Sequence, residues 1–239
     1  MFDYKLQLNV GYGGVKNNEF VFYIRRGKKV MKKVILCSIV FLILISSSSV
    51  FASGNFNLFL GKKQLEQIDW EPWDDQWEIG YMIDFRSKKM PFNIAIDILG
   101  SEAYEKETVS GVSGPVKIKE TVTTSELDIG IRKIFEASSI PIRPFIGGGI
   151  GLFKSVANID VGRESSSDSD SCLGVWFSGG AYWTINKGLN LGIMARYSKT
   201  ERPLSLSAGA TDKKVTDKIE IEGDAGGYHV GLILGYHWD

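Results

Sequence analysis

Residues 228–239, which read YHVGLILGYHWD, alternate without a break between two kinds of side chain. One set is wholly apolar, with aromatic rings at both ends: Tyr228, Val230, Leu232, Leu234, Tyr236 and Trp238. The other set is mostly small or polar, and it includes His229 and His237. Because successive side chains of a β-strand point to opposite faces, this segment predicts a strand with one apolar face. An apolar band between aromatic ends is typical of the lipid-facing side of a membrane barrel.

Seven segments upstream of this strand alternate in the same way. They are residues 55–61, 77–85, 92–98, 126–132, 143–154, 173–183 and 189–197. Eight alternating segments of strand length predict an all-β protein. We expect an eight-stranded antiparallel up-and-down transmembrane β-barrel.

The connections between these segments alternate in length. Those after the odd-numbered segments are long, at residues 62–76, 100–123, 155–172 and 198–226. Those after the even-numbered segments are short, at residues 86–91, 136–142 and 184–188. Outer-membrane barrels join their strands by short periplasmic turns and longer extracellular loops, so we expect four surface loops and both barrel ends on the periplasmic side.

A soluble, lipocalin-like barrel is the alternative with the same strand number. It would turn the apolar face inward, whereas here the other face carries glycines and charges that suit the interior of a narrow barrel. Aromatic residues gather near the strand ends, which predicts contact with the two membrane interfaces. These interface aromatics are Trp77, Phe85, Trp183, Tyr197, Tyr228, Tyr236 and Trp238.

The N-terminal region has the features of a secretory signal peptide. Two lysines after Met31 precede an apolar run of about 12 residues and then small residues up to Ala52, whereas a spanning helix needs about 20 apolar residues. We therefore expect export through a signal peptide at residues 31–52, with residues 53–239 as the outer-membrane barrel. Signal peptides do not begin 30 residues into a chain, so residues 1–30 are interpreted as a misassigned extension.

The composition of the predicted mature chain excludes some classes of partner and bond. The whole chain has 28 basic and 28 acidic residues, and loss of residues 1–52 leaves 20 basic and 26 acidic residues. A net charge of about −6 gives no electrostatic case for nucleic-acid binding. Cys172 is the one cysteine left, which excludes an intramolecular disulfide.

Charged residues at inward positions form the most suggestive candidate site. They are Glu78, Asp84, Asp97, Glu126, Asp128, Arg132, Arg196 and His229. Unpaired charge inside a barrel is costly, and an eight-stranded barrel is just wide enough for side chains to fill. We expect an interior polar network that plugs the lumen; the alternative is a gate for ions.

Two kinds of chemistry have weaker support. Ser198 could approach His229 with Glu220 or Glu222 as the orienting acid, but the spacing matches no known lipid A deacylase or palmitoyltransferase motif. The acidic, serine-rich run 164–170 lacks the glycine and spaced carboxylates of a calcium loop, and a solvated loop tip is expected there. We predict no catalytic residues, no cofactor and no metal.

The long connections are the best place for function, because binding residues concentrate on loops that a rigid scaffold holds. Trp70 and Trp73 in the first connection are interpreted either as anchors for a partner or as residues of the membrane interface. Residues 116–120 and 218–222 alternate, so strands four and eight are expected to extend beyond the membrane and could bind by edge pairing.

Three short patterns resemble the small eight-stranded outer-membrane barrels of the OmpA/OmpX type. They are RPFIGGGIG at 143–151, LNLG to ARY between 189 and 197, and GYHW at 235–238. The family usually ends on the aromatic residue, whereas Asp239 follows here. The resemblance implies a Gram-negative outer membrane, contact with lipopolysaccharide and assembly by the barrel-assembly machinery.

Members of that family adhere to surfaces, resist complement, pass small solutes or modify lipid A. For this chain we expect a monomeric, non-catalytic surface protein with a structural or adhesin-like role and a possible extracellular ligand on its long loops. A porin-like narrow pore for ions or small solutes is the alternative, and a lipid A-modifying enzyme is a remote one.

Overall fold

The computed structural model describes residues 53–111, 114–136, 141–185, 188–212 and 215–238. The predicted extension at 1–30 and the predicted signal peptide at 31–52 lie outside these residues. All of the predicted interior charges and interface aromatics lie within them.

The described chain contains ten strands and one short helix. The strands are β1 (Ser53–Gln64), β2 (Asp75–Arg86), β3 (Asn93–Gly111), β4 (Gly114–Ile134), β5 (Ile142–Val161), β6 (Glu164–Ile185), β7 (Leu189–Thr200), β8 (Leu204–Asp212), β9 (Val215–Gly223) and β10 (Gly227–Trp238). The helix, α1 (Gln67–Trp70), lies between β1 and β2. None of the helical structure in the described ranges is long and apolar enough to cross a membrane.

Eight of the strands form a closed antiparallel barrel. The order around the ring is β1, β2, β3, β4, β5, β6, β7 and β10, and β10 pairs with β1. That closing pair keeps one register, from Gly54 opposite Trp238 to Gln64 opposite Tyr228. The predicted eight-stranded antiparallel barrel is confirmed, and each predicted segment lies on one barrel strand to within a residue.

The end of the barrel where β1 begins and β10 ends, here called the lower end, has the short connections that the sequence predicted. At the opposite, upper end, residues 100–123 and 155–172 are not loops, and that prediction was wrong. β3 and β4 stay paired up to Gly111 opposite Gly114, and β5 and β6 up to Val161 opposite Glu164. Residues 164–170 therefore belong to a strand rather than to a loop tip, whereas the predicted extension of strand four through 116–120 is confirmed.

The last long connection is also mostly strand. β8 and β9 pair only with each other, as a hairpin from Leu204 opposite Gly223 to Asp212 opposite Val215. Residues 218–222 therefore lie in β9. The prediction that they extend the last barrel strand was wrong. Residues 224–226 are not in a strand and separate β9 from β10.

The apolar face of the strands changes from the outer side to the inner side partway along their length. In the lower part of β4, Leu127 and Ile129 point outward and stay exposed, while Glu126 and Asp128 are buried inside. In the upper part of β4 the inward residue Val122 is buried and apolar, and the outward residue Lys119 is exposed. An apolar outer face below and an apolar inner face above are what lipid and water, respectively, would select on one strand.

The upper parts of the barrel strands and the β8–β9 hairpin pack around a second apolar core. We call this region the cap: residues 65–73, 103–111, 114–122, 155–172 and 204–225. Its buried core includes Val116, Ile118 and Val122 of β4, Ala157, Ile159 and Val161 of β5, Leu204, Leu206 and Ala208 of β8, and Ile219 and Ile221 of β9. The hairpin thus covers the inner face of the upper strands as one sheet covers another.

Trp70 and Trp73 belong to this core. Trp70 is fully buried, and its Nε1 donates to the carbonyl oxygen of Asp224 at 2.8 Å. Both interpretations of these tryptophans, as partner anchors and as interface residues, were therefore wrong. Their apolar surface is buried against the hairpin, which alternation within a single segment could not reveal.

The inward glycines of the lower barrel have a packing role. A Cβ on Gly149 would lie 2.1 Å from the carbonyl oxygen of Ile129, and one on Gly130 would lie 2.2 Å from that of Gly148. Trp176, which is fully buried, fills the space beside these two glycines. The glycine-rich strand β5 thereby leaves room for a large aromatic ring inside a narrow barrel.

Candidate functional site

The lower half of the lumen is crossed by Arg132. Its Nη1 lies 3.1 Å from Asp84 Oδ2 and its Nη2 lies 2.8 Å from Asp97 Oδ2. All three side chains are fully buried. Because β2, β3 and β4 are consecutive in the barrel wall, inward positions on them bring these three groups together.

Arg196 continues the network upward from the opposite wall. Its guanidinium lies 3.3 Å from Asp97, 3.0 Å from Glu126 and 2.5 Å from Asp128. The guanidinium carbon lies 4.6 Å from the centre of the Trp176 ring, so the cation is also held against an aromatic face. Asp97 joins the two arginines, which makes the network continuous along the lumen.

Lys63 is an interior residue that sequence reasoning missed. It is fully buried, and its Nζ lies 2.7 Å from Glu126 Oε1 and 3.1 Å from Thr124 Oγ1. Its signal was present, because Asn55, Asn57 and Phe59 have the same parity on β1. The predicted first strand ended at residue 61, whereas β1 continues to Gln64.

Ser198, His229 and Glu78 form a chain of hydrogen bonds at the top of the lumen. Ser198 Oγ lies 2.9 Å from His229 Nε2, and His229 Nδ1 lies 2.8 Å from Glu78 Oε2. The expected approach of Ser198 to His229 is therefore found, but the orienting acid is Glu78. Glu220 and Glu222, which the sequence suggested for that role, are exposed on β9.

This chain of contacts has the order of a hydrolase triad but different hydrogen bonding. Ser198 Oγ also donates to Glu126 Oε1, at 3.1 Å. The serine hydroxyl has a single proton, and its hydrogen bond to Glu126 leaves none to donate to His229. Ser198 is therefore not arranged to give its proton to His229 as a nucleophile would, and a carboxylate beside Ser198 Oγ opposes the negative charge that acyl transfer would develop there.

A layer of amide groups closes the lower end of the network. Asn55 Nδ2 donates to Asp84 Oδ1 at 2.7 Å, and Asn93 Nδ2 donates to the same oxygen. Asn190 Nδ2 donates to Asn55 Oδ1 at 3.0 Å, which links β7 to β1 across the lumen. His237 Nδ1 lies 2.9 Å from the carbonyl oxygen of Gly54, beside this layer.

The structure places all eight predicted interior residues in the lumen, none more than 4% exposed. Seven of them share one connected set of ion pairs and hydrogen bonds with Lys63, and Glu78 is joined to that set through His229. Side chains from opposite walls therefore meet in the centre. Lys63, Arg132 and Arg196 each lie within salt-bridge distance of at least one carboxylate, so none of these three buried cations is left without a counter-charge.

The predicted interface aromatics lie near the two ends of the barrel. Trp77, Tyr197 and Tyr228 are exposed at the upper end, and the Tyr197 and Tyr228 rings are 4.9 Å apart. Trp183 and Tyr236 are exposed at the lower end, while Phe85 and Trp238 are half-buried there. Between the two groups the outer face is aliphatic, and Leu232 is 65% exposed.

The β8–β9 hairpin is held to the upper part of β6 by two carboxylates. Asp170 accepts hydrogen bonds from Arg202 at 2.8 and 3.0 Å and from the backbone N–H of Ser205 at 3.2 Å. Asp168 accepts from the backbone N–H of Ser207 at 2.8 Å. The Arg202 hydrogen bonds hold the pKa of Asp170 well below its usual range.

The connection 224–226, which we call the seam segment, binds two barrel strands and the short helix α1. The carbonyl oxygen of Asp224 accepts from Trp70, and that of Ala225 accepts from Lys63 Nζ at 2.7 Å. Asp224 Oδ1 accepts from the backbone N–H of Thr200 at 2.9 Å. The segment thus ties β1, the turn after it and β7 together where β10 begins.

Among the residues that the structure describes, no group of three or more His, Cys, Asp or Glu side chains is arranged to hold a metal ion. The acidic run 164–170, which sequence reasoning compared with a calcium loop, directs Asp168 and Asp170 to β8 instead.

The fold is that of small outer-membrane β-barrel proteins. The outer membrane protein OprG from Pseudomonas aeruginosa is similar, with a TM-score of 0.51 and 10% identity over 79% of this chain and 96% of that chain. The attachment invasion locus protein Ail of Yersinia pestis, solved with the heparin analogue sucrose octasulfate, gives a TM-score of 0.49 and 11% identity over 78% and 98% of the two chains. No family model matches the sequence, and no curated protein matches it.

Proposed function

We propose that this chain is a surface protein of the outer membrane, with a sealed barrel as its anchor and the cap as its interaction domain. The observation that carries the proposal is the second apolar core. At the lower end the chain joins its strands by short turns, whereas at the upper end it builds a folded layer with its own buried tryptophans. An anchor alone does not require such a layer, and binding residues concentrate on the connecting segments that a rigid scaffold holds.

The lumen supports an anchor rather than a pore. Two arginines and a lysine bridge the walls through carboxylates, and the charged groups are almost completely shielded from solvent. Passage of an ion would require these pairs to separate inside the barrel, which is costly when one partner is left without a counter-charge. A narrow pore for ions or small solutes is the second candidate, because the same charges would line the path if they moved apart.

Conductance in planar bilayers separates the two candidates. The purified wild-type protein is expected to give no steady unit conductance. The double variant Arg132→Ala/Arg196→Ala, which removes both guanidinium bridges, is expected to give open events if it folds. Steady conductance of the wild-type protein would overturn the sealed anchor and favour the pore.

Surface display tests the interaction domain. Cells that carry the wild-type protein are compared with cells in which residues 204–223 are replaced by a short Gly-Ser linker, and adhesion to immobilised extracellular surfaces is measured. A matched control, Lys88→Gln/Lys89→Gln, alters a lower turn and leaves the cap intact. Adhesion is expected to depend on the hairpin and not on the lower turn; equal adhesion of all three, at equal surface levels, would contradict the proposal.

The remote enzymatic alternative has less support, because Ser198 donates to Glu126 while His229 contacts Glu78 and Ser198. Lipid A mass spectra from cells with and without the protein test it directly. We expect identical spectra, and a mass change that Ser198→Ala abolishes would show that the chain is an enzyme.

A further inference from the structure

The upper parts of β3 and β4 form a ribbon whose two faces carry opposite charge. On the outer face Lys106 lies directly opposite Lys119, and Lys117 lies opposite Thr108. On the inner face Glu105 lies directly opposite Glu120, and Glu107 is the next inward residue along β3. Each face therefore sets like charges against one another.

This arrangement does not favour folding. Like charges directly across a pair of strands are destabilising, whereas a lysine opposite a glutamate would stabilise the same ladder. The three lysines are exposed, and in the described part of the chain none of them is within salt-bridge distance of an acid. Asp160 lies directly opposite Lys119 on β5 and offsets part of its charge, whereas the partners of Lys106 and Lys117 are Lys119 and Thr108.

An exposed aromatic ring lies beside these lysines. Tyr104 is 56% exposed on the outer face, and Lys106 Nζ lies 4.6 Å from the centre of its ring. Thr121 lies opposite Tyr104, and Asn158 lies opposite Thr121 on β5. We call Tyr104, Lys106, Lys117 and Lys119 the lysine face.

We propose that the lysine face binds an extended acidic polysaccharide. Three exposed ammonium groups supply the attraction for repeated anionic groups, and the exposed ring of Tyr104 supplies a flat surface for a sugar. The face is a strand surface rather than a concave pocket, which suits a polymer that lies along it better than a small ligand that must be enclosed. The inference rests on the proposed function, since it assigns a ligand class to the cap.

The height of the lysine face above the apolar band selects the source of the polysaccharide. Leu127 is the uppermost exposed apolar residue on the outer face of β4, and Lys119 lies eight residues further along the strand. Eight residues of strand span about 26 Å, which at the usual strand tilt of about 35–45° is a height of about 20 Å, so the lysines lie above the level of lipid head groups. We therefore assign the site to a polysaccharide on a facing surface and not to the lipid A of the protein's own membrane.

The net negative charge of the predicted mature chain sharpens this assignment. A polyanion is repelled by most of such a surface and is attracted only where basic groups stand together. A neutral or weakly charged polymer would show no such preference. Binding through the lysine face should therefore weaken steeply with salt, because exposed charges are screened over about 10 Å at 0.1 M ionic strength.

The test uses the full protein in nanodiscs of zwitterionic lipid, with dextran sulfate as the probe and neutral dextran of the same length as its control. The wild-type protein is expected to bind dextran sulfate at low salt and to leave neutral dextran unbound. The triple variant Lys106→Gln/Lys117→Gln/Lys119→Gln is expected to lose at least about tenfold in affinity. Tyr104→Ala is expected to weaken binding severalfold without a change in its salt dependence.

The matched control changes the opposite face of the same ribbon. Glu105→Gln/Glu107→Gln removes charge from β3 without altering the lysine face, and it should retain wild-type affinity or exceed it. Far-UV circular dichroism and the emission of the buried tryptophans report that each variant is folded. A folded triple variant that binds as tightly as the wild type would overturn the proposal.

Two further probes decide between sources of negative charge. Single-stranded DNA that binds as tightly as dextran sulfate would overturn the assignment to polysaccharide. Nanodiscs that contain lipopolysaccharide and no longer bind dextran sulfate would show that the protein's own membrane occupies the face, against the assignment to a facing surface. If the triple lysine variant binds dextran sulfate as tightly as the wild type while adhesion of displayed cells still requires the hairpin, that result would contradict this inference and leave the proposed function standing.

Discussion

The lumen and the cap are built from the same strands, yet they are held together in opposite ways. Within β4, Glu126 and Asp128 pair with Lys63 and Arg196 below, whereas Val122 and Ile118 pack against the hairpin above. The backbone and the alternation do not change between the two regions. What changes is the medium outside the strand. At that level the apolar side chains move from the outer face to the inner face, and the polar side chains move from the inner face to the outer face.

The comparison shows that an inward position has no fixed chemistry in such a barrel. In the lower barrel, the apolar residues lie on the outer face, and the polar residues inside must form ion pairs and hydrogen bonds with one another. Above it, water is outside, and apolar residues are buried in the usual way. The lumen therefore depends on matched charges, while the cap depends on apolar area and shape.

The largest effect is expected from breaking the lumen. Arg196→Ala leaves Asp97, Glu126 and Asp128 with one guanidinium fewer in a buried site. Loss of one partner of a buried ion pair costs roughly 3–5 kcal/mol, and we expect a fall of that size in the free energy of unfolding, measured by urea titration in detergent. The double variant Lys63→Met/Glu126→Gln, which removes a cation and an anion together, should fall less; an equal or larger fall would show that the charges need not match.

A smaller and local effect is expected from the cap. Leu206 is buried in the apolar core opposite Ile221. Leu206→Ala should cost about 2–3 kcal/mol, in the range for removal of a buried leucine side chain. Limited proteolysis is expected to cut residues 204–223 faster while the barrel stays intact, whereas Ser205→Ala, at the neighbouring exposed position, should match the wild type. Equal loss of barrel stability would show that the two regions unfold as one.

A weaker effect is expected where the β8–β9 hairpin joins β6. Asp170→Asn removes the ion pair with Arg202 and weakens acceptance from Ser205 N–H. We expect faster amide hydrogen exchange at residues 205 and 207, with no change on β10, because the hairpin has no backbone ladder with the barrel. Unchanged exchange at both residues would show that the carboxylate does not hold the hairpin. The separate variant Arg202→Lys, which keeps a cation near Asp170, should retain part of the wild-type protection.

The smallest effect is expected from pH. Burial and the neighbouring Asp217 raise the pKa of Glu120 to about 7. A raised carboxyl pKa stabilises the folded cap while the group is protonated, and this contribution is lost as the pH rises through about 7. Proteolysis of the hairpin should therefore be slower at pH 5.5 than at pH 8, and Glu120→Gln should remove the difference. A cap that is more stable at pH 8 would contradict the assignment.

Alternation predicted the barrel because lipid and lumen impose opposite demands on neighbouring residues. The same rule located the eight interior charges, from Glu78 on β2 to His229 on β10. It missed Lys63 because apolar outward residues stop at Leu60, and a strand that continues into water loses that signal. It missed the cap because Trp70 and Leu206 meet only in three dimensions, across 136 residues of sequence.

The orienting acid of His229 was missed for a related reason. Glu220 and Glu222 are close to His229 in sequence, but β9 turns them outward. Glu78 lies on β2, two strands away across β1, and only closure of the ring brings it to His229. Contacts across the closing pair depend on the register of both ends of the chain, which local patterns do not contain.

The seam segment adds side-chain hydrogen bonds to the closing pair of strands, β1 and β10. β1 and β10 are the first and last strands, so their pairing spans the whole barrel sequence and carries the largest entropy of loop closure. Lys63 of β1 binds Ala225, and Trp70 after β1 binds Asp224, while Thr200 of β7 holds Asp224 on the β10 side. A barrel opened between β1 and β10 would therefore lose the Lys63 and Trp70 bonds along with its ladder. Strands β1 and β10 therefore cannot separate without also breaking the bonds from residues 224–225 to the β1 side, and these bonds add to the energy barrier against opening of the ring.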